Sequence, residues 1–371
     1  MSILLNSISS NFISKVETIE VNTSRKYNVQ LGQGLISVLP QLVEPLCAGR
    51  KIGIITDDVV NSLYAAKVVE SLDICGYNVC KYVIPHGENS KNITTLSGIL
   101  EYFATCHFTR KDIFISVGGG VVGDITGLAA ALYMRGIQFI QVPTTLLSMV
   151  DASVGGKTAV DLQAGKNLIG AFWQPSMVVA DTQIITNLPD DIFAEGMAEV
   201  IKSDLIANAG IVRMIQQGSV KEQIDQMVAS CIKMKRDIVE QDEYETKGLR
   251  KVLNMGHTVA HAIEKLSNYT VSHGIAVATG LVWEAKIACY LGLCKEILVN
   301  EIKEAVDAYQ LYYEVPFTVD AMVEAMKSDK KNEDRRIDFV YPITYGKWEE
   351  RKLETNELKE IIKTLNIWIY G

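Results

Sequence analysis

Four side chains that commonly bind metals lie in the second half of the sequence. Glu199 lies in Ala-Glu-Val-Ile-Lys, His257 and His261 in Leu-Asn-Met-Gly-His-Thr-Val-Ala-His, and His273 in Ser-His-Gly. Imidazole and carboxylate suit a borderline cation such as Zn²⁺, and three protein ligands leave one position open for a substrate. The pattern predicts a catalytic metal site, although two histidines at i and i+4 also fit polar residues on one helix face.

A glycine-rich turn predicts a second site. The apolar run 113–117 leads into Gly-Gly-Gly-Val-Val-Gly-Asp at 118–124, which is followed by a helical segment rich in Ala and Leu. Glycines let the backbone approach an anion, and the amides at the following helix N terminus are donors for a pyrophosphate. The spacing departs from Gly-x-Gly-x-x-Gly, so a tight turn without a ligand fits as well.

Charged residues follow two strands upstream of this turn. Asp57 and Asp58 end the run 51–56, where a carboxylate can accept hydrogen bonds from the ribose of NAD, although an exposed acidic turn fits too. Gly-Glu-Asn-Ser-Lys at 87–91 follows the next strand. Downstream, 155–158 reads Gly-Gly-Lys-Thr, but Asp151 stands where a triphosphate-binding loop needs glycine. We therefore interpret the lysines of this region as charges for a substrate phosphate or carboxylate.

The periodicity predicts two kinds of scaffold. Strands are predicted at 16–21, 26–31, 51–56, 78–84, 113–117 and 139–142, with helices at 32–46, 61–74, 92–105 and 122–133. This alternation implies a parallel sheet with helices on both faces. Beyond residue 181 helices are predicted at 190–208, 220–241, 249–268, 273–291, 296–309 and 354–367, with one short strand at 337–343. We predict an α/β NAD-binding domain over 1–180 and a mainly α-helical metal- and substrate-binding domain over 181–371.

Composition limits the partners. The 371 residues exceed one ordinary core, and the net charge of −8 disfavours binding to nucleic acid. The seven cysteines are scattered without a Cys-x-x-Cys pair, which indicates reduced thiols. The N terminus lacks a basic, apolar signal pattern, and no apolar run approaches the roughly 18 residues of a membrane span. We expect a cytoplasmic protein that acts on a small molecule.

Several motifs in order resemble the 3-dehydroquinate synthase family of sugar phosphate cyclases. They are Gly-Gly-Gly-Val-Val-Gly-Asp, Met-Arg-Gly, Pro-Thr-Thr-Leu-Leu, Asp-Ala-Ser-Val-Gly-Gly-Lys-Thr, Gly-Lys-Asn-Leu-Ile-Gly-Ala-Phe, Gly-Met-Ala-Glu-Val-Ile-Lys and Leu-Asn-Met-Gly-His-Thr, within residues 50–335. The resemblance implies an enzyme that converts 3-deoxy-D-arabino-heptulosonate 7-phosphate into 3-dehydroquinate and phosphate in the shikimate pathway. It implies a bound NAD⁺ and a divalent metal, Zn²⁺ or else Co²⁺, with transient oxidation, phosphate elimination, re-reduction and aldol closure.

The resemblance also assigns residues to roles. It implies Glu199, His257 and His273 as metal ligands, with His261 contacting the substrate instead. Implied NAD contacts are Asp57, Glu88, Lys91, Gly119, Gly120, Val121, Asp124, Thr144, Thr145 and Lys166. Implied substrate contacts are Asp151, Lys157, Asn167, Lys202, Lys235, Arg250, Asn254, His261 and Lys330, among which Lys157, Lys202, Lys235, Arg250, Asn254 and His261 are catalytic. Arg135 is implied to enter a partner subunit's pocket, so we expect a homodimer.

Some positions depart from the family pattern. Ala260 and Ile275 stand where the family often has Gly and Glu, and the segment after Lys330 and Lys331 lacks the usual Gly-containing turn. Two rival functions keep the same scaffold: another cyclase, such as a 2-deoxy-scyllo-inosose or aminodehydroquinate synthase, and a metal-dependent polyol dehydrogenase of the glycerol dehydrogenase type. Asn254 and the block 157–167 favour a carboxylated substrate.

Overall fold

The computed structural model describes residues 16–327 and 336–365, which form two compact units. The first unit runs to Leu188 and includes Lys235–Tyr244, and the second contains Pro189–Met234 and the chain from Glu245. The division predicted after residue 180 assigned Lys235 to the second domain, whereas its segment groups with the first unit. The assignment of functions to these two domains stays a prediction.

A parallel sheet forms the centre of the first unit. Its strands and one separate hairpin, numbered in chain order, are β1 Glu17–Val21, β2 Tyr27–Gly32, β3 Lys51–Asp57, β4 Asn78–Ile84, β5 Ile113–Gly118, β6 Gln138–Pro143, β7 Lys157–Leu162, β8 Gly165–Phe172 and β9 Met177–Asp181. The sheet order is β1-β2-β9-β6-β5-β3-β4, in which only the β1–β2 pair is antiparallel. Strands β7 and β8 pair with each other. The predicted parallel sheet is confirmed, whereas β7, β8 and β9 were not predicted.

Helices cover both faces of this sheet, as predicted. They are α1 Leu39–Cys47, α2 Ala66–Ile74, α3 Ile93–Thr105, α4 Gly120–Leu132 and α5 Thr182–Thr186. Residues of α1 and α2 share one buried apolar cluster, and residues of α3 and α4 share another. Since β3 leads to α2 and the neighbouring β5 leads to α4, the chain changes face between these strands. Ligands of such sheets bind at the carboxyl ends of the strands at this switch point, where the glycine-rich turn lies.

The segment Lys235–Tyr244 completes the first unit from a distant part of the sequence. Glu240 Oε1 accepts a hydrogen bond from the Asn22 amide at 2.6 Å, and Glu243 Oε2 accepts one from the Ser24 amide at 2.7 Å. The Tyr244 ring lies edge-on to Phe172, 5.5 Å away. The first unit is therefore built from two stretches of chain.

The second unit is mainly helical, as predicted. Its helices are α6 Asp190–Ala207, α7 Ile211–Gln216, α8 Ile224–Gln241, α9 His257–Leu266, α10 His273–Tyr290, α11 Glu296–Asp307, α12 Val319–Lys327 and α13 Thr355–Leu365, and its hairpin strands are β10 Arg336–Thr344 and β11 Lys347–Glu354. Helix α8 ends in the segment that groups with the first unit. Among the helices of the described ranges, none has the length and apolar character needed to cross a membrane.

One predicted helix, 249–268, is broken in the structure. Residues Leu249–Asn254 form a 3-10 turn, and α9 begins only at His257. Gly256 between them has φ +80°, a conformation that interrupts a right-handed helix and that glycine adopts without strain. The short helices α7 and α12 and the strand β11 were not predicted, and β11 is too exposed and charged to show an apolar alternation.

Helix α10 lies against two helices through glycines. A methyl group at Gly274 would overlap the backbone of Glu195 in α6, and one at Gly280 would overlap the carbonyl oxygen of Gly256 just before α9. The backbones therefore approach more closely than any side chain permits. This close packing brings the beginnings of α9 and α10 next to α6.

Gly280→Ala should destabilise the protein although alanine is the better helix former. The added methyl group meets backbone atoms that have no other rotamer, and overpacking of this kind costs about 1–3 kcal/mol. Gly123→Ala in α4 is the matched control, since its methyl group would meet only the end of the Gln141 side chain at 3.2 Å. Chemical denaturation of both variants provides the measurement. Equal stability losses in the two variants would contradict the close packing of Gly280.

Candidate active site

The three predicted metal ligands meet in the second unit. Glu199 on α6, His257 at the start of α9 and His273 at the start of α10 place one ligand atom each within 4.8 Å of the others. The Nε2 atoms of His257 and His273 are both 3.6 Å from Glu199 Oε1. That oxygen is buried and accepts no hydrogen bond from the described residues. A buried, unsatisfied carboxylate oxygen beside two imidazole nitrogens fits a divalent cation.

The electrostatics of the cluster favour a negative Glu199. Burial opposes its charge, but the Lys202 ammonium, which forms an ion pair with Oε2, and the two imidazoles hold the pKa of Glu199 well below its usual range. Burial, assisted by the charge of Lys202, lowers the pKa of His257 to about 3, so that this ring is neutral, as a metal ligand requires. Although burial acts against it, the carboxylates of Glu199 and Glu264 raise the pKa of His273 to about 10. The carboxylates attract a positive charge at this position, which a metal ion also supplies.

The second nitrogen of each ligand histidine faces an oxygen atom. His273 Nδ1 is 3.4 Å from Glu264 Oε1, and His257 Nδ1 is 3.1 Å from the Met255 carbonyl oxygen. Such partners accept a hydrogen bond from Nδ1–H and leave Nε2 as the ligand atom. Glu264 was not among the predicted site residues, although its position seven residues after His257 places it on the same face of a helix.

His261 lies beside the cluster but contributes none of its three ligand atoms. Its ring centroid is 5.5 Å from that of His257, and both residues line a cavity of about 190 Å³ together with Asn254. The other lining residues are Lys251, Thr258, Asp338, Phe339, Val340, Glu350, Arg351 and Lys352. The cationic Arg351 and Lys352 were not among the predicted site residues, since both lie on the unpredicted strand β11. Lys330 lies outside the described residues.

Lys202 links α6 to the 3-10 turn that carries two other predicted site residues. Its Nζ donates to the Leu253 carbonyl oxygen at 2.8 Å while it pairs with Glu199. Arg250 and Asn254 lie on that turn, and Arg250 is buried. A buried guanidinium and a buried ammonium are thus held near the histidine helix, which suits an anionic substrate.

The glycine-rich turn of the first unit has the features of an anion site. Helix α4 begins at Gly120 directly after β5, and Gly119 at its N-cap position forms no side-chain cap. A Cβ at Gly118 would lie 2.5 Å from that of Val122, so this tight turn requires glycine there. Thr144 directly follows β6, the strand beside β5, and its buried hydroxyl has no hydrogen-bond partner among the described residues. The arrangement fits a pyrophosphate.

The remaining predicted NAD contacts show mixed geometry. Lys91 is buried, with Nζ 2.6 Å from Asp124 Oδ2, 2.7 Å from Asn167 Oδ1 and 4.0 Å from Glu88. Burial opposes its charge, but the carboxylates of Asp124, Glu88 and Asp161 together outweigh burial and raise the pKa of Lys91. Asp57 is the last residue of β3, and its Oδ1 already accepts a hydrogen bond from the Val60 amide at 2.7 Å. Its role at a ribose stays a prediction, as do those of Val121, Thr145 and Lys166.

Lys235 is held by Asp151 within the first unit. Its buried Nζ is 2.7 Å from Asp151 Oδ1 and 2.6 Å from the Asp151 carbonyl oxygen. Two of the predicted substrate contacts are therefore brought together, while Lys157 is exposed at the start of β7. Arg135 is exposed after α4, and its φ of +67° and that of +50° at Met134 mark an unusual turn.

His257→Ala should abolish metal binding while the fold survives. The variant removes one of three ligands from a preformed cluster, so the affinity for Zn²⁺ or Co²⁺ should fall at least a hundredfold. Metal content after dialysis and chelator competition measure this loss. The control is His86→Ala, since His86 is an exposed histidine of the first unit. Equal metal content in both variants would show that the cluster is not the metal site.

Comparison with known proteins identifies the family. The family models described as 3-dehydroquinate synthase N-terminal and C-terminal match residues 81–195 and 196–332. A 3-dehydroquinate synthase of Rippkaea orientalis is 40% identical over 332 residues, which cover 86% of this chain and 90% of the relative.

Two solved structures are similar over nearly the whole chain. A 2-deoxy-scyllo-inosose synthase complexed with carbaglucose-6-phosphate, NAD⁺ and Co²⁺ is 26% identical, with a TM-score of 0.84 over 94% of this chain and 99% of that one. The 2-epi-5-epi-valiolone synthase ValA of Streptomyces hygroscopicus subsp. jinggangensis 5008, with NAD⁺ and Zn²⁺ bound, shares the fold at 24% identity and a TM-score of 0.83, over 95% of this chain and 99% of that one. The solved structures share the fold, and the two family models with the 40% identity to a curated relative show that the chain belongs to the 3-dehydroquinate synthase family.

Proposed function

We propose that this chain is a 3-dehydroquinate synthase, a lyase that converts 3-deoxy-D-arabino-heptulosonate 7-phosphate into 3-dehydroquinate and phosphate in the shikimate pathway. The observation that carries the proposal is the cluster of the buried Glu199 with the half-buried His257 and His273 in a chain of this family. Identity to the curated synthase, at 40%, exceeds the 26% shared with the 2-deoxy-scyllo-inosose synthase, which favours the dehydroquinate reaction over that rival.

The proposed cofactors are NAD⁺ and a divalent metal, which we take to be Zn²⁺ with Co²⁺ as a substitute. Glu199, His257 and His273 would hold the metal, and the uncapped start of α4 with Lys91, Asp124 and Thr144 would hold NAD⁺. When bound, the metal supplies a Lewis acid that polarises the substrate hydroxyl, and NAD⁺ supplies a hydride acceptor that is regenerated in each turnover. The pKa of Glu199, which Lys202 and the two neighbouring histidines hold low despite burial, supports the assignment of the metal ligands.

The chain's own cations would bind and orient the substrate, which carries a phosphate and a carboxylate. Lys202 is immobilised by Glu199 and the Leu253 carbonyl oxygen, and Lys235 by Asp151. Each lysine is thus pre-organised, so that less conformational freedom is lost on binding an anion. The other proposed substrate contacts are Lys157, Asn167, Arg250, Asn254, His261 and Lys330.

The same residues account for how protons move. His261 is placed beside His257 at the wall of the cavity, where an imidazole can accept or donate a hydrogen bond to a substrate hydroxyl. We propose that the departing phosphate itself takes the C6 proton, so that the reaction does not require a dedicated protein base. The protein would then act by holding the phosphate in the orientation for this internal transfer.

The decisive experiment measures phosphate release from 3-deoxy-D-arabino-heptulosonate 7-phosphate with catalytic NAD⁺, with and without a chelator. Metal-dependent release without accumulation of NADH, and with 3-dehydroquinate as product, is the expected result. Cyclisation of glucose 6-phosphate instead would favour an inosose synthase. Oxidation of a polyol with accumulating NADH and no phosphate release would make the chain a dehydrogenase.

Lys235→Met should reduce kcat/KM for phosphate release about a hundredfold, which is about 2.7 kcal/mol of lost transition-state stabilisation. Methionine keeps the length of the side chain but removes the charge that we assign to an anionic substrate group. Lys233→Met is the matched control, since Lys233 is exposed on the same helix two residues away. Equal rates for the two variants would remove Lys235 from the proposed substrate contacts.

We also propose that the enzyme is a homodimer in which Arg135 acts in the partner's pocket. Support comes from the surface around Arg135, where Leu132 and Met134 expose 51% and 47% of their areas. Apolar side chains clustered at an exposed arginine are typical of a protein interface. The strained backbone of Met134 and Arg135 gives this turn a defined shape that a second copy can recognise.

Mixed dimers test whether Arg135 acts across the interface. Arg135→Ala and Lys235→Met subunits should each be nearly inactive, but a mixed dimer would contain one site with both intact residues. Random exchange of equal amounts should restore about a quarter of wild-type activity, because half of the dimers are mixed and each has one active site. The control mixes Arg135→Ala with Arg135→Ala,Lys235→Met subunits, which should stay inactive. No recovery in the first mixture, with exchange verified, would place Arg135 in its own subunit's site or outside any site.

A further inference from the structure

A buried carboxyl group of α10 bonds to the start of the histidine helix α9. Glu284 is fully buried, and its Oε2 accepts a hydrogen bond from the Gly256 amide at 2.6 Å. Gly256 is the N-cap residue of α9 and forms no side-chain cap, because glycine has no side chain. The first helical residue after it is His257. A side chain from a neighbouring helix therefore supplies the acceptor for the N-cap amide that the N3 side chain of a capping box would normally supply.

We propose that Glu284 is a positioning residue for the metal site, which holds the start of α9 so that His257 points into the ligand cluster. This inference rests on the metal site of the proposed function. Glu284 would act through the backbone amides at the start of α9, of which that of Gly256 directly precedes His257 along the chain.

The packing of α10 gives this bond its influence. Glu284 lies one helical turn after Gly280, whose missing side chain allows the approach of Gly256. The same helix begins with the ligand His273. Helix α10 therefore carries the ligand His273. Through Gly280 and Glu284 it also contacts Gly256, the residue directly before the ligand His257. Loss of the acceptor would leave the amide unsatisfied and free the turn to rotate, which changes the direction of His257.

The acceptor, and not the negative charge, is the feature required. Burial raises the pKa of Glu284 to about 8, although the amides of Gly256, Val259 and Thr258 oppose this shift. A protonated carboxyl group still accepts a hydrogen bond through its carbonyl oxygen. Glutamine has the same shape and offers an amide oxygen in the same place. The variants Glu284→Gln and Glu284→Leu therefore separate the role of the acceptor from that of the space it fills.

The control lies on the same helix. Thr279 is also fully buried, and its Oγ1 accepts a hydrogen bond from the Tyr313 amide at 3.0 Å, in a segment other than α9. Thr279→Val removes that acceptor with little change in volume. A general loss of stability in α10 would therefore affect Thr279→Val and Glu284→Leu alike, whereas a loss of metal affinity through Gly256 would affect only Glu284→Leu.

Co²⁺ binding to the full-length chain provides the test, with affinity from chelator competition and ligand geometry from the visible absorption of the ion. Glu284→Leu should bind Co²⁺ about 10–100-fold more weakly than wild type and with an altered spectrum. Glu284→Gln should stay within about threefold, and Thr279→Val should match wild type. If Glu284→Leu does not fold, Glu284→Asp replaces it, because its shorter side chain withdraws the acceptor and should weaken binding at least fivefold.

Each contrary result has a distinct meaning. Wild-type affinity and spectrum in Glu284→Leu, or in Glu284→Asp where it is the variant used, would overturn the inference and leave the proposed metal site intact. An equal loss of affinity in Thr279→Val would overturn it too, since the effect would then be one of general stability. No Co²⁺ binding by the wild-type chain would overturn the metal site itself, and this inference with it.

Discussion

A charged carboxylate that is buried away from solvent needs positive charge beside it. In the second unit this carboxylate is Glu199, and three helices contribute groups that surround it. A buried charge left unpaired costs several kcal/mol, more than most single packing contacts contribute. The Lys202 ammonium, one helical turn away on α6, supplies positive charge, and so does His273 on α10, while the neutral ring of His257 on α9 faces the same carboxylate. The arrangement of three helices and a 3-10 turn brings these groups to the two oxygen atoms of one buried carboxylate.

Close helix packing converts that electrostatic requirement into a defined geometry. Helix α10 meets α6 at Gly274 and the turn before α9 at Gly280, and both contacts are between backbones. Backbone contacts have no alternative rotamers, so the helices have little freedom to slide. His257 and His273 are the first residues of these closely packed helices, so their imidazoles are held in fixed positions. A site for a small, strongly polarising cation needs ligands held in this way.

The parts that the sequence predicted are those with local patterns. Apolar runs such as 113–117 predicted the buried parallel strands, because a strand covered on both faces has no polar side. The histidine spacing predicted a metal site, but only the family resemblance distinguished His257 from His261, since both lie on one helix face. The break at Gly256 was missed because the apolar spacing continues through it. Strand β11 was missed because its residues are charged and exposed. Glu284 gave no local signal, since its partner lies 28 residues away and only the fold brings them together.

The two-segment construction of the first unit has a consequence for how the chain is made. The strands of the sheet leave the ribosome first. Glu240 and Glu243 emerge only after the whole of α6 and most of α8, and they accept hydrogen bonds from the amides of Asn22 and Ser24. Domains tend to fold as they are synthesised, from the N terminus onward. Here the first unit lacks a piece of itself until synthesis passes Tyr244. The nascent chain must therefore keep an unfinished edge near Asn22 while the helices of its neighbour are being added, and a gene fragment that stops at Leu188 would encode an incomplete unit.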